Sequence, residues 1–363
     1  LGGYLTDWTW RAIFWINIPI AIIALALLAR QVVPSNRKEQ SIDWQGAAII
    51  AASMIVAIIG LQQASVWGWG SALTWTFFGV GLVLLIAFVL SEKDRAYALV
   101  RLKAFRERTF TISVLATLFA SMAFVPIFFF LSVYAQIALG LDVYQSALLL
   151  LEFFIGFVIA ANVGGRIFDK RGVRPLLIIG GALGAASFAW WASKLGILTD
   201  GSAFLESPQF WPTVLSGAGI GLMYSGAATD VANRAKGQSY GEATGISQTA
   251  KNFGGAFGLA VLAAVLSTQL STNLTASFTA LGAPASVSKS IASSINGNSG
   301  GSASDRQQFS ALPQHVQLQV KHDIQSDYAD ASKSAFYGMS AAMLIVFLLG
   351  VAYPRMQTEK SAS

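Results

Sequence analysis

Of the 18 acidic residues in the chain, Glu152 alone stands in the body of an apolar run, ALLLLEFFIGFVIA. An ionisable group in such a run is expensive in lipid, so it faces a bundle interior or a watery cavity and marks a proton relay or a counter-ion for a cationic substrate. The structural alternative is a glutamate hydrogen-bonded to a neighbouring helix, or one hydrated near the outer interface. Lys251 is the one basic residue inside a run. Gln248 lies three positions before it and Asn252 four after Gln248, so the three give one helix a polar side. Either they line a central cavity, or Lys251 snorkels to the surface. Pro126, in AFVPIFFF, is expected to kink its helix, with Tyr134 and Gln136 following at the outer end, where aromatic side chains touch apolar compounds or lipid.

A further constellation lies in GRIFDKRGVRP, from Gly165 to Pro175, where Asp169 stands among Arg166, Lys170, Arg171 and Arg174 around Gly172. A basic loop that only sets topology needs no aspartate. Pairing of Asp169 with these bases, and with the N-terminal dipole of the helix beginning near Pro175, would make a latch that breaks when that side opens. The plainer reading is a topology loop. Catalytic chemistry is not indicated. His315 and His322 lack a third ligand and read as solvated residues, not a metal site. The absence of cysteine excludes disulfides, thiolate catalysis and cysteine-ligated zinc. No G-x-x-x-x-G-K-[ST] loop cradles a nucleotide. Gly217, Gly219 and Gly221 mimic part of a dinucleotide fingerprint, but inside an apolar run and not between a strand and a helix. Glycine pairs four apart, Gly180 with Gly184, Gly217 with Gly221 and Gly254 with Gly258, read instead as close helix packing in lipid.

The elements that carry these residues follow from composition. The 363 residues are 54% hydrophobic and 12% charged, with mean hydropathy +0.58, whereas an ordinary soluble domain is roughly a quarter charged. A membrane span needs roughly 20 mainly apolar residues, and nine such runs occur, at 12–30, 44–62, 75–91, 110–134, 144–164, 175–193, 211–230, 245–267 and 335–353. They are too long and continuous for barrel strands, so the expected fold is an all-α polytopic membrane bundle. The first run imitates a secretory signal but is longer, and its equivalents follow it. Lys and Arg crowd alternate connections, at 30–38, 93–108, 166–174 and 234–236, and the tail. The excess of basic residues in cytoplasmic loops then places the C-terminus in the cytoplasm and Leu1 outside. A formal charge of +6 dispersed in this way argues against a nucleic-acid partner. Residues 269–334 form the long hydrophilic stretch, with SSINGNSGGSASD as a flexible centre, and are expected to be an outer loop in which FSALPQHVQLQVKHDIQSDYADA makes a short amphipathic helix.

Three blocks resemble the fourteen-helix drug:proton antiporters of the major facilitator superfamily. LGGYLTDWTWRAIFWINIPI resembles the end of that family's fifth helix and its junction with the sixth, where an exporter motif finishes in Gly-Gly, here Gly2 and Gly3. GRIFDKRGVRP resembles the second-half echo of the superfamily's Gly-x-x-x-Asp-Arg-x-Gly-x-Arg loop. GEATGISQTAKNFGGAFG is similar to the Gly-rich penultimate helix, with Lys251 at a commonly basic position. Ser132 and Glu152 stand where relatives often have proline, so the resemblance assigns Glu152 no role. It numbers the nine runs as helices six to fourteen and implies that five more precede them. Residues 1–34 would then end an N-terminal bundle, 35–108 would carry two extra central helices, and 109–363 would form a six-helix C-terminal bundle including the outer loop. The resemblance further implies alternating access in the cell membrane, with a small amphipathic substrate and protons as partners and no cofactor. Without the first helices, this piece is not expected to transport alone. A dedicated exporter of one endogenous product, whether siderophore, antibiotic or lipid, fits the same residues. A membrane sensor or enzyme would need a catalytic set or soluble domain that the chain does not offer.

Overall fold

In hydrocarbon the backbone has no water to bond, so a span satisfies its own N–H and C=O groups by forming a helix. The computed structural model describes residues 5, 8, 9, 11–30, 43–93, 102–195, 208–233, 240–280 and 314–354, and every α or 3-10 element among them is helical. In chain order these are α1 (Ala12–Trp15), α2 (Asn17–Arg30), α3 (Trp44–Trp67), α4 (Ala72–Glu92), α5 (Arg108–Ile137), α6 (Val143–Arg171), α7 (Arg174–Lys194), α8 (Phe210–Asn233), α9 (Tyr240–Ala280) and α10 (Gln314–Ala352), with a 3-10 turn at Leu102–Arg106. Each predicted apolar run coincides with helix, the first being divided at Ile16. Gly2, Gly3, residues 281–313 and the tail from 355 lie outside the described residues.

Sequence sets where the helices start and stop. Asp43 caps α3 by accepting from the Gly46 N–H at 2.8 Å. Asp142 and Gln145 form a capping box on α6, with the Gln145 N–H at 2.7 Å from the Asp142 carboxylate and the Asp142 N–H at 3.2 Å from the Gln145 side chain. Gly172 ends α6 with φ of 71°, a left-handed value that glycine adopts without strain, and α7 starts two residues later with proline in its first turn.

Among the described residues, eight helices are long and apolar enough to cross a membrane. Phe210–Asn233 has the length but is diluted by Gly, Ser, Thr and Tyr. The reason is its place: α8 packs against α6, α7, α5 and α9, and Thr213, Ser216, Ile220, Met223, Ala227 and Val231 are all buried. Around it, α10 lies on α7 and α5, and α9 lies on α5 and α10. The α3–α4 hairpin is attached through α9.

The paired glycines are contact points. A Cβ on Gly217 would fall on the Phe153 carbonyl oxygen, on Gly221 against Phe157, on Gly180 against Gly219, on Gly254 against Leu118 and on Gly258 against the Met122 backbone. Gly184 faces the Met343 side chain. Pro126 sits inside an unbroken α5. It cannot donate to the Met122 carbonyl one turn before, and Gly258 lies against that residue.

The hydrophilic stretch corrects one expectation. Its two ends are not loop: Gln269–Ala280 continue α9, and α10 is a single helix from Gln314, so the predicted short amphipathic helix runs straight into the last span. Leu270 and Leu274 of α9 and Val320, Tyr328 and Ala329 of α10 are buried in one cluster at helical spacing, and the Asn273 side-chain amide donates to the Asp327 carbonyl at 3.4 Å. Polar residues on the outer faces hid this pairing. His322 is exposed, 3.7 Å from Asp323.

Gly217→Val would force α6 and α8 apart and should destabilise the bundle by about 1–3 kcal/mol. The purified full-length protein in detergent should melt at a lower temperature, while Gly245→Ala, whose added Cβ meets nothing within 4 Å, should leave the melting temperature equal or slightly higher, alanine being the better helix former.

Candidate functional site

Glu152 lies ten residues from the Asp142 cap, which at 1.5 Å per residue sets it about 15 Å along α6, roughly half the thickness of a hydrocarbon core. It is 0% exposed. The close approach of α6 to α8 encloses it, since Gly156 abuts the Val214 carbonyl and Gly217 abuts that of Phe153. Neither carboxyl oxygen has a hydrogen-bond partner. The Thr213 hydroxyl stands beside it but donates its proton to the Gln209 carbonyl at 2.7 Å. The Thr213 hydroxyl is thus the polar group beside the carboxyl: its oxygen can accept from the protonated form, and its proton reaches the ionised form only by leaving the Gln209 carbonyl. Of the structural alternatives raised by the sequence, a hydroxyl on a neighbouring helix is present in Thr213, while hydration at the interface does not fit a residue that is 0% exposed.

The other candidates divide into separate settings. Tyr134 is fully buried, donates to the Leu195 carbonyl at 3.0 Å and accepts from the Gln209 amide at 2.9 Å. The Gln209 oxygen accepts from the Trp191 indole at 3.3 Å. This network ties α5 to α7 and the start of α8, so Tyr134 is part of the packing. Gln136 is exposed and bonds back to Ser132 on its own helix at 3.0 Å.

Lys251 does not run out to the helix end. Gly254 and Gly258 lock α9 against α5, and this rotation carries the Lys251 ammonium over the rings of Phe124 and Tyr224, 5.7 and 5.1 Å from their centroids. Such distances are those of a cation–π contact. The Tyr224 hydroxyl is hydrogen-bonded to Ser121, which fixes the ring face that the ammonium meets. Phe124 also stacks on Phe157, with centroids 5.5 Å apart, and meets Phe128 edge-on at 5.1 Å. Gln248 and Asn252 are exposed and pair with each other at 3.4 Å.

At the end of the bundle that carries the basic loop, Asp169 is exposed on the last turn of α6 and has no ion pair among the described residues, so the pairing expected with Arg166, Lys170, Arg171 and Arg174 is not formed. Lys170 and Arg171 suit the negative end of the helix dipole, and Asp169 does not. Gly165 has open space around it. Arg174 reaches the Val351 carbonyl near the end of α10 at 3.5 Å. The strongest polar contacts at this end come from a residue that sequence reasoning left among the span ends. Asp230, nearly buried, accepts from Ser113 at 2.6 Å and from the Tyr353 hydroxyl at 2.8 Å, joining α8, α5 and the end of α10. An acid closing an apolar run was the available signal. Ser113 and Tyr353 gave none, being ordinary residue types far away in sequence.

Comparison with known proteins agrees with this architecture. Residues 1–259 match the family model described as Major Facilitator Superfamily. The chain is 31% identical over 262 residues to the cephamycin export protein of Amycolatopsis lactamdurans, a match covering 70% of this chain and 53% of that protein. It is 28% identical over 259 residues to the tetracenomycin C resistance and export protein of Streptomyces glaucescens, covering 70% and 47%. To multidrug resistance protein 3 of Bacillus subtilis it is 27% identical over 232 residues, covering 62% and 43%. The matches thus span about half the length of these relatives. With the family match taking in more than half of the chain and eight helices among the described residues fit to cross a membrane, the chain is a multi-pass membrane protein and belongs to the major facilitator superfamily.

Proposed function

We propose that this chain supplies the second bundle, 109–363, and the two extra central helices, within 35–108, of an exporter that moves small amphipathic compounds out across the cytoplasmic membrane by alternating access, with residues 1–34 ending the first bundle. Proton entry drives it. The carrying observation is Glu152, a carboxyl 0% exposed with neither oxygen hydrogen-bonded. A protonated carboxyl there can donate to the Thr213 oxygen with the Thr213 proton left on the Gln209 carbonyl, whereas an ionised one must draw that proton away from it, so the pocket distinguishes the two states as a coupling site must. The basic end of the bundle, by the charge excess in its connections, faces the cytoplasm together with the C-terminus. Asp169 there, held at the unfavourable end of its own helix dipole, serves the latch in another arrangement of the two bundles. The export and resistance roles in the names of two relatives favour this reading. They equally favour a dedicated exporter of one endogenous product, which would use the same coupling.

In cells expressing the full-length protein, efflux of a fluorescent amphipathic dye should collapse with a protonophore and slow by roughly a hundredfold or more in Glu152→Gln, the range of one proton-transferring group. Unimpaired efflux in that variant would make Glu152 a structural residue, and absence of wild-type efflux would select the dedicated exporter. The chain has no cysteine, so once any cysteine outside it is replaced, single cysteines report topology without background. Lys194→Cys should react with a membrane-impermeant maleimide in intact cells, and Lys170→Cys only after permeabilisation.

A further inference from the structure

Lys251 has a counterpart in chemistry that the bundle itself does not supply. Its ammonium meets two ring faces, and no carboxylate is within ion-pair distance among the described residues. The two nearly buried acids of α8 and its neighbours are committed elsewhere. Asp230 is bonded to Ser113 and Tyr353. Glu152 is 0% exposed beside Thr213, and no ion pair joins it to Lys251 among the described residues, although the next residue, Phe153, meets Phe124 with centroids 6.3 Å apart. The fixed charge at this surface is therefore positive. A partly desolvated ammonium with only quadrupoles for partners gains most from an anion brought to it.

The surroundings add shape to the charge. Phe124, Phe128, Phe157 and Tyr224, from three helices, are each only half-buried. Phe128 stacks on Phe154 with centroids 5.6 Å apart, and Phe154 is 38% exposed. Together they present ring faces next to the ammonium, which suits a flat aromatic body better than a flexible alkyl chain. The glycine contacts of α9 on α5 and the Ser121–Tyr224 bond hold the set in place.

We propose that Lys251 and the rings of Phe124, Tyr224 and Phe157 form a binding site for aromatic organic anions, with Lys251 taking the carboxylate or phenolate and the rings taking the planar body. This rests on the export reading and names its substrate class: acids, not the cations that a membrane carboxyl alone would suggest.

Two xanthene dyes of similar skeleton and opposite charge, fluorescein and rhodamine 6G, separate charge from ring area in fluorescence-polarisation binding to the purified full-length protein. Wild type should bind fluorescein more tightly. Lys251→Met should weaken fluorescein by about tenfold or more, the effect of removing one partner of a desolvated charge pair, and leave rhodamine 6G unchanged. Lys251→Arg should retain fluorescein. Tighter wild-type binding of rhodamine 6G, or no binding of either dye, would overturn the proposal without any variant having to fold, as would unchanged fluorescein affinity in a Lys251→Met protein of wild-type melting temperature. Fluorescein binding that depends on Lys251, with no efflux of the dye from cells, would keep the site and remove the export reading.

Discussion

Apolar surface provides little force between helices in lipid, because the hydrocarbon outside is as apolar as the side chains within. Cohesion has to come from close van der Waals contact and from polar groups that find each other. This protein meets the requirement at α8, whose glycines lie against helix backbones on two sides: Gly217 and Gly221 against α6, and Gly219 against Gly180 and Gly184 of α7. Gly254 and Gly258 do the same for α9 on α5. The directions of the functional side chains depend on these contacts. The α6–α8 approach encloses Glu152, and the α5–α9 approach turns Lys251 onto the aromatic rings.

A second set of constraints runs along α5 and α8. Ser113 donates to Asp230, Ser121 is bonded to Tyr224, and Tyr134 accepts from Gln209 just ahead of α8. The three pairs occur in opposite order along the two chains, as antiparallel helices require, and act as polar rungs from one end of the bundle to the other. Thr213, between the Gln209 and Tyr224 rungs, carries the hydroxyl that faces Glu152. The coupling candidate and the lysine site thus belong to the same rigid frame and are placed at different levels of it.

The helices were legible because a run of apolar residues long enough to span has one solution in lipid, and the glycine spacing pointed to the faces in contact. α8 was less so: its apolar character is weak because its neighbours, not lipid, surround it. The extensions of α9 and α10 were hidden by the Ser, Thr, Asn and Gln on their outer faces, although Leu266, Leu270 and Leu274 kept helical spacing beneath them. Glu152 was conspicuous as a lone charge, but whether it meets a donor depends on where the Thr213 proton goes, which no local pattern records. The rungs were invisible for a related reason: their partners are 75, 103 and 117 residues apart, and a serine in a helix announces nothing about a distant acid. Lys251 drew notice as a charge, while its direction came from glycines three and seven positions further on.

The continuation of α9 and α10 beyond their apolar lengths bears on bilayer thickness. A helix that stops at the membrane surface exposes its last carbonyls if the bilayer thickens. Here the helix simply goes on. The threonines of the α9 extension already bond to their own preceding turns, Thr272 to the Thr268 carbonyl at 3.0 Å and Thr275 to that of Ser271 at 2.7 Å, so lipid that rises along this arm meets satisfied polar groups. The α10 arm beside it carries exposed Lys321, His322 and Asp330, which hydrocarbon does not accept, so a change in bilayer thickness, at fractions of a kcal/mol per ångström of mismatch, is met by tilt or by local deformation of the lipid.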